Sequence, residues 1–229
     1  MKNEQKMQMW MAGGFLGLII LITIIAGVAS SNAKPSTTNN FVSTQTSAIT
    51  PSDHLHGAAG SAVSLIEYGD FQCPACGAYE PLVQQLYTQY GNKVQFVFRN
   101  FPLIQVHQNA MIAAQAAEAA NLQGKYWEMH DMLYSKQKDW SETPNASVVA
   151  NYFDKYAQTL GLNVAKFNTD INSDTVKARV QSDVTLANAA QLNHTPTFFI
   201  NLAQIQNPQS LTEFQKDLDT ALASSTTTR

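Results

Sequence analysis

The sequence predicts an α/β domain with an inserted helical block, preceded by an N-terminal transmembrane helix. Three observations predict this class. Residues 9–29 are almost wholly apolar, residues 62–99 have the pattern of strand, helix and strand, and residues 105–192 contain helical periodicity without a convincing strand. Extended sequence then resumes at Thr197. This order indicates a sheet into which the helical block, residues 105–192, is inserted.

The apolar segment at residues 9–29 is long enough to cross a bilayer as a helix, which takes about 20 residues. Lys2 and Lys6 precede it and only Lys34 follows closely, so the positive-inside rule places residues 1–8 in the cytoplasm. A cleaved signal peptide is the alternative, but apolar signal segments usually run about 7–15 residues, which favours a retained anchor. We therefore expect a single-pass protein of the cell membrane whose folded domain lies on the extracytoplasmic side.

The composition of the chain excludes one class of partner and indicates where the folded domain begins and ends. Charged residues make up 14% of the chain, the net charge is −3, and no basic run is present, which argues against a nucleic-acid partner. Residues 30–56 are rich in Ser, Thr, Asn and Pro, have no periodicity and predict a flexible linker in which His54 and His56 are solvated. The folded domain is then expected at residues 57–223, followed by a frayed tail at residues 224–229.

The first elements of the domain have clear individual signals. Residues 62–68 are apolar and β-branched and end at Gly69, and residues 94–99 form a second such run. Between them, apolar residues spaced by three and four predict a helix that ends at Gly91. Two strands joined by a helix are expected to be parallel, with a right-handed crossover.

The remaining elements are helices, a hairpin and a closing helix. Helical periodicity runs through the inserted block, in particular over residues 109–122, 126–134, 148–160 and from residue 164 onward. The predicted hairpin follows at residues 197–201 and 203–206. The closing helix begins after Ser210, the first residue of a capping box.

The chain contains two cysteines, Cys73 and Cys76, separated by Pro74 and Ala75 at the predicted start of a helix. Two thiols at this spacing form a reversible dithiol–disulfide couple, and a helix N-terminus stabilises the reactive thiolate. A metal-binding protein or metallochaperone is the alternative from another class. Two sulfurs supply half of a tetrahedral zinc site, and no second pair completes it, so we expect neither a metal nor a cofactor beyond the redox-active cysteines.

Pro196 is the second feature that stands out, because it lies between Thr195 and the start of the predicted hairpin. A proline is tolerated at the first residue of a strand. Spacing alone therefore leaves an ordinary trans proline at the strand entry open.

Two segments together resemble a known family. Residues 68–76, Tyr-Gly-Asp-Phe-Gln-Cys-Pro-Ala-Cys, and residues 195–200, Thr-Pro-Thr-Phe-Phe-Ile, resemble the DsbA-like branch of the thioredoxin superfamily, and are most similar to its membrane-tethered exported members. The resemblance covers residues 57–222. It implies a thioredoxin-like fold with an inserted helical domain, and a protein thiol–disulfide oxidoreductase.

The resemblance also implies a role for individual residues. Cys73 corresponds to the nucleophilic cysteine and Cys76 to the resolving one. Pro196 corresponds to a cis-proline that faces the sulfurs, and the backbone of Thr195 to the segment that pairs with the substrate peptide. Glu67 corresponds to a buried acid that assists proton transfer at the resolving thiol; burial raises a carboxyl pKa and suits it to this role.

The chain departs from the family pattern in two places. Leu202 follows Asn201 where many relatives have Asn-Gly, so the hairpin turn must be built differently. Ala75 stands where the strongest oxidants of the family have histidine, which removes one donor to the thiolate. His194, directly before Thr195, is either a cationic neighbour of the thiolate or an exposed loop residue.

The resemblance implies that the protein introduces disulfides into cysteine-containing exported proteins. A membrane redox partner of the DsbB or vitamin-K-epoxide-reductase type would then reoxidise it. Because Ala75 leaves the direction of electron flow open, a reductase or isomerase with the same site is the alternative within the enzyme class.

Overall fold

The computed structural model describes residues 41–144 and 146–226. The predicted cytoplasmic segment at residues 1–8 and the predicted anchor at residues 9–29 lie outside these ranges. In the part of the chain that is described, no helix has the length and apolar character needed to cross a membrane.

A mixed sheet forms the centre of the domain. Its strands within the described residues are β1 Phe41–Gln45, β2 His54–Gly57, β3 Ser64–Gly69, β4 Gln95–Asn100, β5 Thr197–Ile200 and β6 Ala203–Ile205. The order across the sheet is β1-β6-β5-β3-β4-β2, in which β3 and β4 are parallel and β5 is antiparallel to β3. The predicted parallel pair and the predicted C-terminal hairpin are thereby confirmed.

Helices cover this sheet and extend beyond it. They are α1 Pro74–Tyr90, α2 Ala110–Asn121, α3 Tyr126–Ser135, α4 Gln137–Trp140, α5 Ala146–Thr159, α6 Val164–Asp170, α7 Asp174–Ala189 and α8 Leu211–Thr226. Helices α2 to α7 all lie between β4 and β5 in the chain, within the predicted insertion. The thioredoxin-like α/β fold with a helical insertion is therefore confirmed.

Strand β3 is enclosed along its whole length, with all six residues buried. Its side chains alternate between two apolar layers. Leu65 packs with Val83 of α1 and Phe214 of α8, whereas Ile66 and Tyr68 pack on the opposite face of the sheet. Because β3 has a neighbour on each side and an apolar layer on each face, its carboxyl end is a rigid support for the residues that follow it.

The helical block has an apolar core of its own that reaches the cysteines. Trp140, Phe153 and Phe167 are fully buried in it, and the same cluster includes Cys73 and Cys76. The inserted helices therefore contribute directly to the environment of the two sulfurs.

The linker prediction is wrong for residues 41–56. Strand β1 pairs with β6 and β2 pairs with β4, so the sheet begins before residue 57. The physical cause is Arg99 on β4, which is fully buried and needs acceptors. It donates to Asp53 at 2.7 and 3.0 Å and to the carbonyls of Ser47 and Ala48 at 3.0 Å, which holds this polar segment against the sheet.

His54 is likewise not a solvated linker residue. It is buried, its Nε2 lies 2.8 Å from Glu118 Oε1, and its ring stacks on Tyr126 with 3.4 Å between centroids. His56 is half-buried and stacks on Tyr87. Both rings thereby attach β2 to its neighbouring helices.

Two details at the C-terminal side complete the comparison. The hairpin turn is indeed built without Asn-Gly: Asn201 takes the left-handed conformation at φ 56, and its Oδ1 accepts from the Ser64 N–H at 3.0 Å. Helix α8 continues to Thr226, so the prediction that the tail frays from residue 224 is wrong for its first three residues.

Candidate active site

The two cysteines lie where β3 delivers the chain to α1. Cys73 is the N-cap residue of α1, with φ −66 and ψ 121, and Pro74 occupies the first helical position, where a missing N–H costs nothing. The last residue of β3 is Gly69, where a Cβ would collide with the Phe98 ring, so no larger residue fits between β3 and the cysteines. Both thiols are free, and the side chains are 7% and 1% exposed for Cys73 and Cys76.

The surroundings of Cys73 favour its thiolate. Its pKa falls from 9.0 to about 5, chiefly through a hydrogen bond from the Cys76 thiol, which together with the other donors outweighs the effect of burial. The further donors are Thr195 and the backbone N–H groups of Ala75 and Cys76. In the thiol form, Cys73 Sγ donates to the Thr195 carbonyl at 3.5 Å. In the thiolate form, the buried Thr195 Oγ1, which has no other partner, is the available donor.

Cys76 has the opposite tendency. Burial raises its pKa well above 9.0, and both the Cys73 sulfur and the charge of Glu67 raise it further. One contact opposes them, since the Asp70 N–H donates to Cys76 Sγ at 3.5 Å. At neutral pH the pair therefore consists of an ionised outer sulfur and a protonated inner one.

Glu67 lies on β3 as a buried acid, as the resemblance implies. It is 6% exposed, and burial raises its pKa well above 4.5, with further contributions from the charges of Glu80 and Cys73. A carboxyl group in this state can hold a proton near neutral pH. Its position beneath the cysteines makes it a candidate for proton exchange with Cys76.

The Thr195–Pro196 peptide bond is cis. The alternative of an ordinary trans proline at the strand entry is therefore wrong. Because Thr195 is buried with its carbonyl 3.5 Å from Cys73 Sγ, this turn forms the wall opposite the cysteines. A proline at this position presents no N–H to the thiolate.

His194 makes no described contact with the Cys73 sulfur. It is exposed, and its Nδ1 lies 2.9 Å from Asn193 Oδ1. The described groups that hydrogen-bond to the Cys73 sulfur are Cys76, Thr195 and neighbouring backbone N–H groups, and His194 is not among them. The expectation of a cationic neighbour at this position is therefore not met within the described residues.

Several residues that support the site were missed from sequence. Gln137 Nε2 on α4 donates to the carbonyls of Phe71 and Cys73 at 2.8 and 2.9 Å. Gln72 Oε1 accepts from the Asn109 N–H at 2.6 Å. These contacts join residues far apart in the chain, so no local pattern indicates them. For Gln72, its place within the cysteine motif is the one available signal.

Two clefts lie near the segments that carry the site, one beside the cysteine motif and one beside His194. One, of about 350 Å³, lies beside Gln72 and Pro74 and is lined on its other side by residues 104–108 and Ser141. The other, of about 450 Å³, is lined by His194 and by residues of the β6–α8 connection. The first cleft therefore adjoins the residues on either side of Cys73, whereas the second adjoins the residue before Thr195.

One group of three candidate metal ligands occurs within the described residues. Ligand atoms of Glu80, His130 and Asp131 lie within 4.8 Å of one another. The Gln84 amide donates to both carboxylates, at 2.6 and 2.9 Å. Neither cysteine belongs to this group, so it adds no ligand to a metal site at the two thiols.

Comparisons with known proteins agree with this geometry. The thioredoxin family profile matches residues 49–220. A thioredoxin-like oxidoreductase from Silicibacter pomeroyi superimposes with a TM-score of 0.63 at 27% identity, covering 75% of this chain and 93% of that one. BdbD from Bacillus subtilis superimposes with a TM-score of 0.67 at 23% identity, covering 81% and 100%, which supports the fold.

Curated sequences contain a similar stretch inside much longer proteins. A Na⁺/H⁺ antiporter, NhaA 1, of Salinispora arenicola is 40% identical over 149 residues, which cover 65% of this chain and 22% of the antiporter. NhaA 3 of Salinispora tropica is 36% identical over 172 residues, 75% of this chain and 25% of that protein. The chain therefore spans about a quarter of the length of these relatives.

The paired thiols of unequal acidity, the cis-proline opposite them and the matched family profile lead to one assignment. The chain belongs to the thioredoxin superfamily, and it is similar to a thioredoxin-like oxidoreductase of that fold.

Proposed function

We propose that this protein is exported, stays anchored to the cell membrane, and donates the Cys73–Cys76 disulfide to cysteines of exported proteins. The observation that carries the proposal is the opposite pKa shift of the two thiols, down to about 5 at Cys73 and upward at Cys76. Export and anchoring are supported by the apolar segment at residues 9–29 with Lys2 and Lys6 before it.

Disulfide donation proceeds in two exchanges. A substrate thiolate attacks Cys73 Sγ, the Cys73–Cys76 bond breaks, and Cys76 leaves and takes up a proton. A second substrate thiolate then attacks the substrate sulfur of the mixed disulfide, and Cys73 leaves as a thiolate. The substrate loses two electrons and the protein gains them. The low pKa of Cys73 makes it the better leaving group in the second exchange.

The lowered pKa of Cys73 favours oxidation of the substrate by this protein. Lowering a thiol pKa from 9.0 to about 5 stabilises the reduced protein at pH 7 by about 3 kcal/mol, equivalent to about 60 mV for a two-electron couple. Ala75 does not prevent this, because the donors to the thiolate are the Cys76 thiol, Thr195 and backbone N–H groups that a helix start provides.

Other residues of the site fit this chemistry. The raised pKa of Glu67 allows it to give a proton to Cys76 when that sulfur leaves, and to accept the proton during reoxidation. The backbone of Thr195 and the ring of Pro196 would hold the substrate peptide beside Cys73. A membrane partner of the DsbB or vitamin-K-epoxide-reductase type would return the pair to the disulfide.

The redox equilibrium with glutathione tests this proposal. We expect a potential closer to about −120 mV, typical of a strong disulfide donor, than to about −270 mV, typical of a reductase. A value near the lower figure would favour the reductase or isomerase alternative. The control is Cys73→Ser, which should neither reach this equilibrium nor oxidise a dithiol peptide.

A further inference from the structure

Asp70, three residues before Cys73, has a buried carboxylate that takes no part in the disulfide exchange proposed above. It is 2% exposed and follows β3 directly. Its partners are N–H donors: the backbone of Gln72 at 2.8 Å, the backbone of Leu103 at 2.9 Å, and Nδ1 of His107 at 2.7 Å. Because a carboxylate oxygen accepts, the proton of this last bond belongs to the histidine.

The main chain of Asp70 contacts both cysteines. Its N–H donates to Cys76 Sγ at 3.5 Å, and its carbonyl accepts from the Cys73 N–H at 3.0 Å. The first of these bonds lowers the pKa of Cys76, against burial and the neighbouring negative charges. The resolving thiol is therefore assisted by a donor whose position depends on how the Asp70 backbone is held.

The carboxylate is what holds that backbone. Oδ1 closes a short turn onto Gln72, two residues ahead, and Oδ2 binds the loop after β4 through Leu103 and His107. An amide in place of the carboxylate would keep one acceptor and turn an NH₂ group towards the Leu103 N–H. The arrangement thus requires two acceptor oxygens, which an ionised aspartate provides and asparagine does not.

We propose that Asp70, held by His107, is a positioning residue for the resolving cysteine: its carboxylate fixes the N–H that donates to Cys76 Sγ. The inference rests on the thiol–disulfide chemistry proposed above. It does not depend on the direction of electron flow, because Cys76 must attack the mixed disulfide whenever the protein is oxidised.

The test follows oxidation of the reduced protein by glutathione disulfide. Cys73 attacks first, releasing one glutathione at a rate proportional to the concentration of glutathione disulfide. Cys76 then attacks Cys73 Sγ, releasing the second at a rate independent of it. For Asp70→Asn, we expect the second step to slow about tenfold, because less Cys76 is ionised without its donor, and the first step to stay within about twofold.

Asp53→Asn is the matched control, since it also neutralises a buried carboxylate bound by N–H donors but makes no described contact with either cysteine. It should lose stability and leave both steps unchanged. His107 supplies a second pair of variants at a partly exposed position. His107→Ala should slow the second step, and His107→Asn, which retains a donor near the Nδ1 position, should restore it.

An unchanged second step in Asp70→Asn would overturn the inference, as would an equal slowing in Asp53→Asn. If Asp70→Asn does not fold, equal second steps in His107→Ala and His107→Asn would overturn it instead. A low redox potential would contradict the proposed oxidising function and leave these rate comparisons intact, so the two failures are distinguishable.

Discussion

Two buried acids, Asp53 just before strand β2 and Glu67 on strand β3, differ in what surrounds them. Burial alone would raise the pKa of Asp53, but hydrogen bonds from Arg99 and Thr50 outweigh it, and the pKa is lowered. Glu67 has no such partner among the described residues, and burial, Glu80 and Cys73 all raise its pKa. The first acid is an ion-pair partner that holds the N-terminal segment, and the second is a proton store beneath the cysteines.

The groups that stabilise this fold are therefore different from the groups that make it reactive. Around Arg99, each charge is buried together with its partner, so breaking the pair leaves an isolated charge in the interior. Around Cys73, groups of like charge are buried together, and their pKa values move apart. Variants at the Arg99–Asp53 pair should therefore change the free energy of unfolding, and variants around Cys73 should change the reaction rate and the thiol pKa.

The largest effect is expected for a variant of the nucleophilic cysteine. Cys73→Ser should lower the rate of dithiol oxidation by about three orders of magnitude or more, because a hydroxyl is not ionised at neutral pH and cannot exchange with a disulfide. Its free energy of unfolding should change little. The rate is measured with a dithiol peptide, and Cys76→Ser is the informative partner, because it should accumulate a mixed disulfide at Cys73. Activity retained in Cys73→Ser would contradict the assignment of the nucleophile.

Breaking the ion pair should have the next largest effect, on stability alone. Arg99→Met leaves Asp53 buried without its cation and should lower the free energy of unfolding by about 3–5 kcal/mol, with the Cys73 pKa unchanged. The exposed pair of Lys125 and Glu128 offers a control, since Lys125→Met should cost less than about 1 kcal/mol. Denaturant titration of both variants measures the difference.

The pH dependence of this loss has a definite sign. Because the folded-state pKa of Asp53 is lowered, its stabilisation is present above 3.8 and disappears as the pH falls through the folded-state value. The deficit of Arg99→Met should therefore be largest at neutral pH and shrink in acid, where Asp53 is protonated in both proteins. A deficit that grows in acid would contradict the pairing.

Glu67→Gln should have an intermediate effect with the opposite pH profile. The raised folded-state pKa of Glu67 stabilises the fold below 4.5, and this stabilisation is lost as the pH rises through the folded-state value. The glutamine variant should lack this loss and be more stable than the parent at pH 8 by about 1–3 kcal/mol, while its turnover slows about tenfold. Unfolding at about pH 4 and pH 8 tests the sign; a variant less stable at the higher pH would contradict it.

The smallest effect is expected for His194→Ala. Its ring is exposed and bonds to Asn193, so the Cys73 pKa should remain at its parent value. A thiolate titration of the variant provides the measurement. An upward shift of the midpoint would restore the histidine as a cationic neighbour of the thiolate.

Local sequence signals were sufficient to find the reactive residues, but not the distant residues and strands that hold them in place. Cys73, Cys76 and Pro196 could be found because a short motif, a helix start and a strand entry are local patterns. The strands at residues 41–57 could not, because they are stabilised by Arg99 and Glu118, which lie far along the chain. Their polar composition resembles that of a linker, and the acceptors that Arg99 needs are visible once the sheet is assembled.

The same distinction explains the details of the site. Ala75 suggested a missing donor, but the thiolate is bound chiefly by the Cys76 thiol, together with Thr195 and backbone N–H groups at the helix start, so it does not depend on a side chain at position 75. His194 is next to Thr195 in sequence, yet adjacency does not determine where an exposed side chain points. The contact of Asp70 with His107 joins the cysteine turn to a loop after β4, and no spacing rule predicts it.

The two sulfurs differ strongly in acidity, and titration of the reduced protein measures this difference. The ultraviolet absorbance of the thiolate, followed against pH in the parent and in Cys76→Ala, reports Cys73. We expect a midpoint of about 5 in the parent, a higher midpoint in Cys76→Ala, which lacks the thiol donor, and no second thiolate through neutral pH. A parent midpoint near 9.0, the ordinary value for a cysteine, would contradict the assignment of Cys73 as the acidic thiol.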